Sequence, residues 1–333
     1  MRNFLTVPLL ALATAAAAQQ DIQFSQYVFN GLSLNPAYAG YRGAPTLNAA
    51  FRDQWAGFPG APKTAVLSLD GLTDPGTGKT GLGIQFLYDQ LGPQQNYSLT
   101  GFYAYRIALN DDEDDPHKLC FGIGAVASQY SLNGTVLQYS DPNDPSFPQV
   151  DVRTKIVPDA NFGVFYYSND FYAGGSLMNL FSLNNTRTVY YADGAAYTSL
   201  LETTNLYLTA GGMVNIADGV KMKPSFLLKD DFKGPANLDI NDLFLLDEKL
   251  WVGGSYRSAV KMLSSSKALT GLSASDAAAL MVEFFATPDF RIGYAYDFTT
   301  SGLSNYQTGS HELSLTVTFS HKKDMHMSCP TYF

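Results

Sequence analysis

The feature that most restricts what this chain can fold into is a two-residue hydrophobic period that recurs along nearly its whole length. In His311–Phe319, Leu313, Leu315, Val317 and Phe319 point one way, and Glu312, Ser314, Thr316 and Thr318 the other. Arg291–Phe298 repeats the pattern, setting Ile292, Tyr294, Tyr296 and Phe298 against Arg291, Gly293, Ala295 and Asp297. Near residue 100, Tyr97, Leu99, Tyr103 and Tyr105 alternate with Ser98, Thr100, Ala104 and Arg106. Such alternation is the mark of strands with one apolar face. It predicts fourteen strands, at 45–55, 63–72, 80–90, 95–107, 118–130, 156–167, 170–180, 203–215, 220–229, 237–246, 250–262, 278–286, 290–301 and 310–319. One Ser/Ala-rich stretch, Ser264–Ala279, is expected to carry a helical turn.

The connections are uneven. Odd-numbered gaps total about 88 residues and even-numbered ones about 29, and beyond the fifth strand long and short connections alternate without a break. The longest are 131–155, 181–202 and 263–277; the short ones carry turn residues, Ser168-Asn169, Ala217-Asp218-Gly219 and Pro288-Asp289. An even strand count with long connections at one end is what a transmembrane antiparallel β-barrel requires, with short periplasmic turns and longer extracellular loops. A soluble sandwich has no reason to segregate its loops this way.

Composition fits. Backbone groups in lipid must all be paired, which leaves helices and closed barrels as spanning forms. Outside the first 20 residues no apolar run reaches the length of a spanning helix. A barrel needs apolar residues on its outer face alone, and mean hydropathy is −0.07. Tyr and Phe number 21 and 22 and would populate interfacial girdles, for instance Tyr166 with Tyr167 or Phe284 with Phe285. A net charge of −9 argues against binding nucleic acid through phosphates.

Residues 1–18 read as a cleaved signal peptide. Arg2 supplies the positive end, Phe4–Leu12 the apolar stretch, and Ala16-Ala17-Ala18 before Gln19 the small-residue cleavage site. An N-terminal segment, 19–44, then precedes the barrel at 45–319, and a periplasmic tail, 320–333, follows it.

Motifs for chemistry are weak. Gly76-Thr77-Gly78-Lys79-Thr80 has the tail of a phosphate-binding loop, but Thr73 stands where the first glycine belongs, so a tight turn explains it better. The acidic run Asp111-Asp112-Glu113-Asp114-Asp115 lacks the spacing of a calcium loop. His321, His326 and Cys329 have no second cluster with which to complete a zinc site. Ser310 or Ser314 with His311 would make a hydrolytic pair only if strand neighbours faced the same side. No catalytic site, cofactor or metal is expected.

The segment from Asp21-Ile22-Gln23-Phe24-Ser25-Gln26-Tyr27 through Leu34-Asn35-Pro36-Ala37-Tyr38-Ala39-Gly40 resembles the opening of the PorP/SprF family. Arg52-Asp53-Gln54-Trp55, the tyrosine strand Asn161–Tyr167, Trp251-Val252-Gly253-Gly254-Ser255-Tyr256-Arg257, Gly293–Asp297 and Gly309–Leu313 resemble further family stretches. The ending Cys329-Pro330-Thr331-Tyr332-Phe333 resembles the family's C-P-R-Y-F, with Thr331 in place of arginine. The resemblance implies an integral outer-membrane barrel of the type IX secretion and gliding machinery. Such a protein is not an enzyme, and it anchors or docks a secreted surface adhesin or other cargo, or couples to the secretion machinery.

Partner contact is expected at Phe24, Gln26, Tyr27, Asn35 and Pro36 of the opening segment, which either plugs the lumen or stays periplasmic. It is also expected at Tyr139, Tyr190 and Tyr191 of the long loops and at Tyr332 and Phe333 of the tail. Exposed aromatics suit protein contact, since they bury large area at low entropic cost. Cys120 opens the fifth strand and Cys329 lies in the tail, so the topology puts both on the periplasmic side, where a disulfide between them or two thiols are the alternatives. The rival function is an outer-membrane transporter or porin for small or hydrophobic substrates.

Overall fold

The computed structural model describes residues 24–74, 76–112, 115–137, 150–183, 188–192, 195–199, 203–232, 234–260 and 275–319. Fourteen antiparallel strands form one sheet that closes on itself. In chain order they are β1 Thr46–Asp53, β2 Lys63–Leu72, β3 Thr80–Leu91, β4 Gln94–Ala108, β5 Lys118–Asn133, β6 Val157–Tyr167 and β7 Phe171–Met178. They continue with β8 Asn205–Gly212 (carried past Met213 by Val214–Ala217), β9 Val220–Asp230, β10 Ala236–Leu246, β11 Leu250–Val260, β12 Ser275–Thr287, β13 Phe290–Thr299 and β14 Ser310–Thr318. Each pairs with its sequence neighbours. The first and last strands then close the ring in continuous register from Thr46↔Thr318 to Asp53↔His311. Closure removes every edge, so all ladder groups can be paired in a medium without water.

The two faces are the reverse of a soluble protein's. Phe51, Leu67, Ile84, Leu99, Ile123 and Leu280 stand exposed on the outer wall. Asn48, Arg52, Gln85, Arg106, Asp239 and Glu312 are buried on the inner one. Strand period fixes this division, and it corrects one expectation: adjacent aromatics do not both reach the lipid. Phe284 is exposed, whereas Phe285 packs inward beside the Arg291 guanidinium at 4.7 Å. Tyr167 is wholly enclosed in the lumen, and only its neighbour Tyr166 lies on the outer side, against Phe171 and His117.

Connections 54–62, 92–93, 134–156, 179–204, 231–235, 261–274 and 300–309 share one end, the loop side. Connections 73–79, 109–117, 168–170, 218–219, 247–249 and 288–289 share the other, the turn side. The expected strands are all present, with edges moved by up to a few residues. β12 begins at Ser275, so residues 275–279 extend a strand instead of a helical turn; 264–274 lie outside the described residues. The long loops also hold strands the sequence reading left out. Asp151–Arg153 pairs with the end of β5, Arg153 pairs with Tyr191, and Thr188–Ala192 forms a hairpin with Ala195–Ser199. These runs of three to five residues are too short to show a period or to cross a bilayer, which is why alternation missed them.

Candidate functional site: an occupied lumen

The residues before β1 fill the barrel. Three short 3-10 turns, Ser25–Phe29, Gly31–Ser33 and Pro36–Tyr38, carry the chain through the lumen, and most side chains from Phe24 to Tyr41 are buried. A sequence with neither strand nor helix period is thereby given a fixed place: its backbone groups pair partly within these turns, as Leu34 with Gly31 and Ala39 with Pro36, and partly with polar side chains of the inner wall.

At its upper end the plug is held by a cluster of charges. Arg52 of β1 donates to Asp297 of β13 at 2.6 Å and to Glu312 of β14 at 3.1 Å, all three within the lumen and almost without exposure. The remaining acceptor capacity of the carboxylates is turned on the plug. The Ser25 and Gln26 amides donate to Glu312 Oε2 and Oε1 at 2.8 and 2.9 Å, and Ser25 Oγ donates to Asp297 Oδ2 at 2.8 Å. Ser314 Oγ donates to Gln26 Oε1 at 2.8 Å. A buried pair of this kind needs partners for its other lone pairs, and here the plug supplies them to both Glu312 oxygens and to Asp297 Oδ2, while Asp297 Oδ1 has none.

Asn35 anchors the lower half. Its Oδ1 accepts from the Ala37 amide at 2.9 Å, capping the Pro36–Tyr38 turn, while its Nδ2 donates to the carbonyls of Val164 on β6 and Gly175 on β7. Further down, the Gly40 amide donates to Asp70 Oδ2 at 2.7 Å, and Arg106 donates to the Ala39 carbonyl. Tyr27 accepts from Asn241, and Ser176 donates to the Leu34 carbonyl. Tyr41 packs between Tyr38 and Tyr167, tilted against the first and edge-on to the second, with ring centroids 4.7 and 4.8 Å apart.

The wall makes room for the plug with inward glycines. A Cβ on Gly163 would lie 2.0 Å from Asn35 Oδ1, and one on Gly122 would lie 2.1 Å from the Ala37 nitrogen. Between plug and wall remain cavities of about 10, 40 and 80 Å³, room for a few waters. What the sequence reading missed is this inner set: Arg52, Asp70, Arg106, Asp297 and Glu312. The available signal was charge and glycine at the polar positions of otherwise regular alternation.

Phe24, Gln26, Tyr27, Asn35 and Pro36, expected at a partner surface, are thus all buried in the lumen and engaged within the chain. Tyr190 and Tyr191 lie on the loop-side strand Thr188–Ala192. Tyr139, Tyr332, Phe333 and Cys329 lie outside the described residues, as do the signal segment and the tail from 320. Cys120 faces the lumen with no exposure, packed in a cluster with Leu32, Ala37 and Phe165. The candidate hydrolytic residues part company, since His311 bonds Tyr294 at 2.8 Å on the outer side while Ser314 serves the plug. Ser310 Oγ accepts from the Trp55 amide at 3.1 Å. Gly76 and Gly78 sit in a turn organised by Asp74, which accepts from both amides. Among the described residues no group of three or more metal-binding side chains occurs.

Three solved structures illustrate the resemblance to other barrels. The Acinetobacter baumannii outer membrane protein Omp33 is 10% identical over 83% of this chain and 98% of its own, with a TM-score of 0.41. A Pseudomonas aeruginosa FadL homologue is 11% identical over 88% and 94%, with a TM-score of 0.43. The CymD monoaromatic hydrocarbon channel is 12% identical over 88% and 93%, with a TM-score of 0.49. No curated protein matches the chain. The family model of the type IX secretion system membrane protein PorP/SprF, in contrast, matches residues 16–317, nearly the whole length. With its closed fourteen-stranded wall, apolar outside and polar within, the chain belongs to the PorP/SprF family of type IX secretion system membrane proteins and is an outer-membrane β-barrel.

Proposed function

We propose that this protein is a closed, non-enzymatic docking barrel: it anchors a secreted surface protein such as an adhesin at the outer membrane and couples that cargo to the secretion machinery. The observation that carries the reading is the lumen filled by the chain's own residues 24–41. A porin or channel works through an aqueous path, and the plug takes up that path with contacts to β1, β2, β4, β6, β7, β13 and β14. What remains for recognition is the barrel's two ends. The loop side offers the larger surface, where β5 is extended by Asp151–Arg153 and by the hairpin bearing Tyr190 and Tyr191. Tyrosine-bearing loops above a membrane anchor suit a protein partner.

Planar-bilayer recording of the purified protein, paired with co-purification from detergent extracts, tests this. The expected result is a silent barrel that brings down a secreted protein, with capture lost when 188–199 is replaced by a short Gly/Ser linker and barrel folding kept. A steady open pore with no captured partner would transfer the assignment to a transporter of small or hydrophobic substrates.

A further inference from the structure

We propose that the outer wall across β2–β5 holds a site for one glycerophospholipid of the periplasmic leaflet, with an acyl chain seated in a groove of the wall and the phosphate at Lys79. The lipid-facing surface there is hollowed by a groove of about 640 Å³, lined almost wholly by apolar atoms. Small-molecule sites occupy about 300–1,000 Å³, whereas the cavities between plug and wall hold about 10, 40 and 80 Å³.

Strand register makes the hollow. Ile84, Gly101 and Ala125 are successive cross-strand partners on β3, β4 and β5, and so share the outer face. Leu82, Tyr103 and Ile123 form the next row toward the turn side. Leu69, Leu82, Ile84, Tyr103 and Ile123 stand 42–57% exposed, while Gly101 and Ala125 between them offer no side chain beyond a methyl. The glycines at 122 and 163 give up their space to the plug, but a Cβ on Gly101 would meet nothing within 4 Å. No packing within the chain demands a glycine at 101; its effect is the groove.

Depth and charge name the occupant. Gly101 lies seven residues from the turn-side end of β4, and Ala125 seven from the turn-side start of β5. At about 3.3 Å per residue and a tilt of about 40°, that is roughly 18 Å of depth. Half of the hydrocarbon layer is about 15 Å, so the groove runs through the turn-side leaflet. It is continuous with the wall that already meets lipid, where acyl chains are the solvent. At its turn-side end Thr73 donates its amide to the Thr80 carbonyl at 3.0 Å, which sets the connection 73–79 beneath the groove. Lys79 is exposed in that connection and makes no ion pair among the described residues. The carboxylate beside it, Asp74, is taken by the Gly76 amide and the Thr77 hydroxyl. A free ammonium at headgroup level under an apolar groove matches a phosphate joined to an acyl chain. This site is independent of whether the barrel docks cargo.

Native mass spectrometry of the barrel purified from outer membranes in mild detergent tests the proposal, followed by titration of the delipidated barrel with phosphatidylglycerol. The expected result is one phospholipid retained by the parent and lost from Gly101→Leu, whose side chain fills the groove. Ala278→Leu, on the same face as the exposed Leu280 of β12 and away from the groove, should retain it. Lys79→Gln should weaken phosphatidylglycerol binding about fivefold, the worth of one lysine near an anionic lipid surface. A parent without bound lipid, a free fatty acid in its place, or retention by Gly101→Leu would overturn the proposal, as would unchanged affinity in Lys79→Gln. Folding of each variant is checked by its gel mobility before and after heating. Should Gly101→Leu fail to fold, Ala125→Leu closes the same floor from β5 and gives the same decision.

Discussion

Arg52 and Glu312 face one another across the seam that joins the first strand to the last, in register and 3.1 Å apart. The same Glu312 receives the amides of Ser25 and Gln26. Closure of the barrel and seating of the plug therefore share one buried carboxylate, and Asp297 completes the arrangement from β13.

Arg52→Ala removes the cation between two enclosed carboxylates. Breaking a buried pair from one side costs about 3–5 kcal/mol. The heat-modifiable gel transition of the barrel should fall to lower temperature, and channel activity should appear in planar bilayers as the plug loosens. A variant that stays silent and as heat-resistant as the parent would remove the latch from this account.

The inward glycines give a sharper contrast. Gly163→Ala puts a methyl 2.0 Å from Asn35 Oδ1 and 3.0 Å from Pro36 Cδ, so plug or wall must shift. Overpacking of this kind costs about 1–3 kcal/mol. Gly101→Ala, on the outer face of β4 with nothing within 4 Å of the added methyl, should leave the urea midpoint unchanged. Equal behaviour of the two variants would mean that the niche at Gly163 does not hold Asn35.

Cys120 reports on the plug directly. It has no exposed surface and packs beside Leu32 and Ala37 of the plug. In a Cys329→Ser background it should resist a small maleimide in native detergent and react on unfolding, with mass spectrometry as the readout. Deleting residues 24–41 should make it reactive in the folded barrel.

Outer-wall charge should be costly where inner-wall charge is native. Ile84 is 49% exposed on β3, on the face turned to lipid. An arginine at the bilayer midplane of a barrel costs about 2–4 kcal/mol. Refolding of Ile84→Arg into liposomes should therefore show a smaller folded fraction than the parent. Unimpaired refolding would place Ile84 away from the hydrocarbon.

Much of this molecule is legible in one dimension because a strand's two faces have a fixed period. Leu313, Leu315 and Val317 against Glu312, Ser314 and Thr316 announce both the strand and its division between lipid and lumen. The same rule, applied to neighbours, would have separated Tyr166 from Tyr167 and Phe284 from Phe285. The plug is another matter. Residues 24–41 have no period, since their backbone follows short turns whose partners lie far along the chain: Ser25 bonds Glu312, 287 positions away, and Asn35 bonds Val164, 129 positions away.

By itself the sequence determined the number of wall strands, their order, and which end carries the long connections, because each follows from local alternation and turn chemistry. Only the tertiary structure decided that the lumen is occupied. That outcome depends on charges from β1, β13 and β14 converging on one segment, and on glycines at Gly122 and Gly163 leaving it space. Convergence of this kind is a property of the closed ring, in which residues at opposite ends of the chain become neighbours, and no local pattern encodes it.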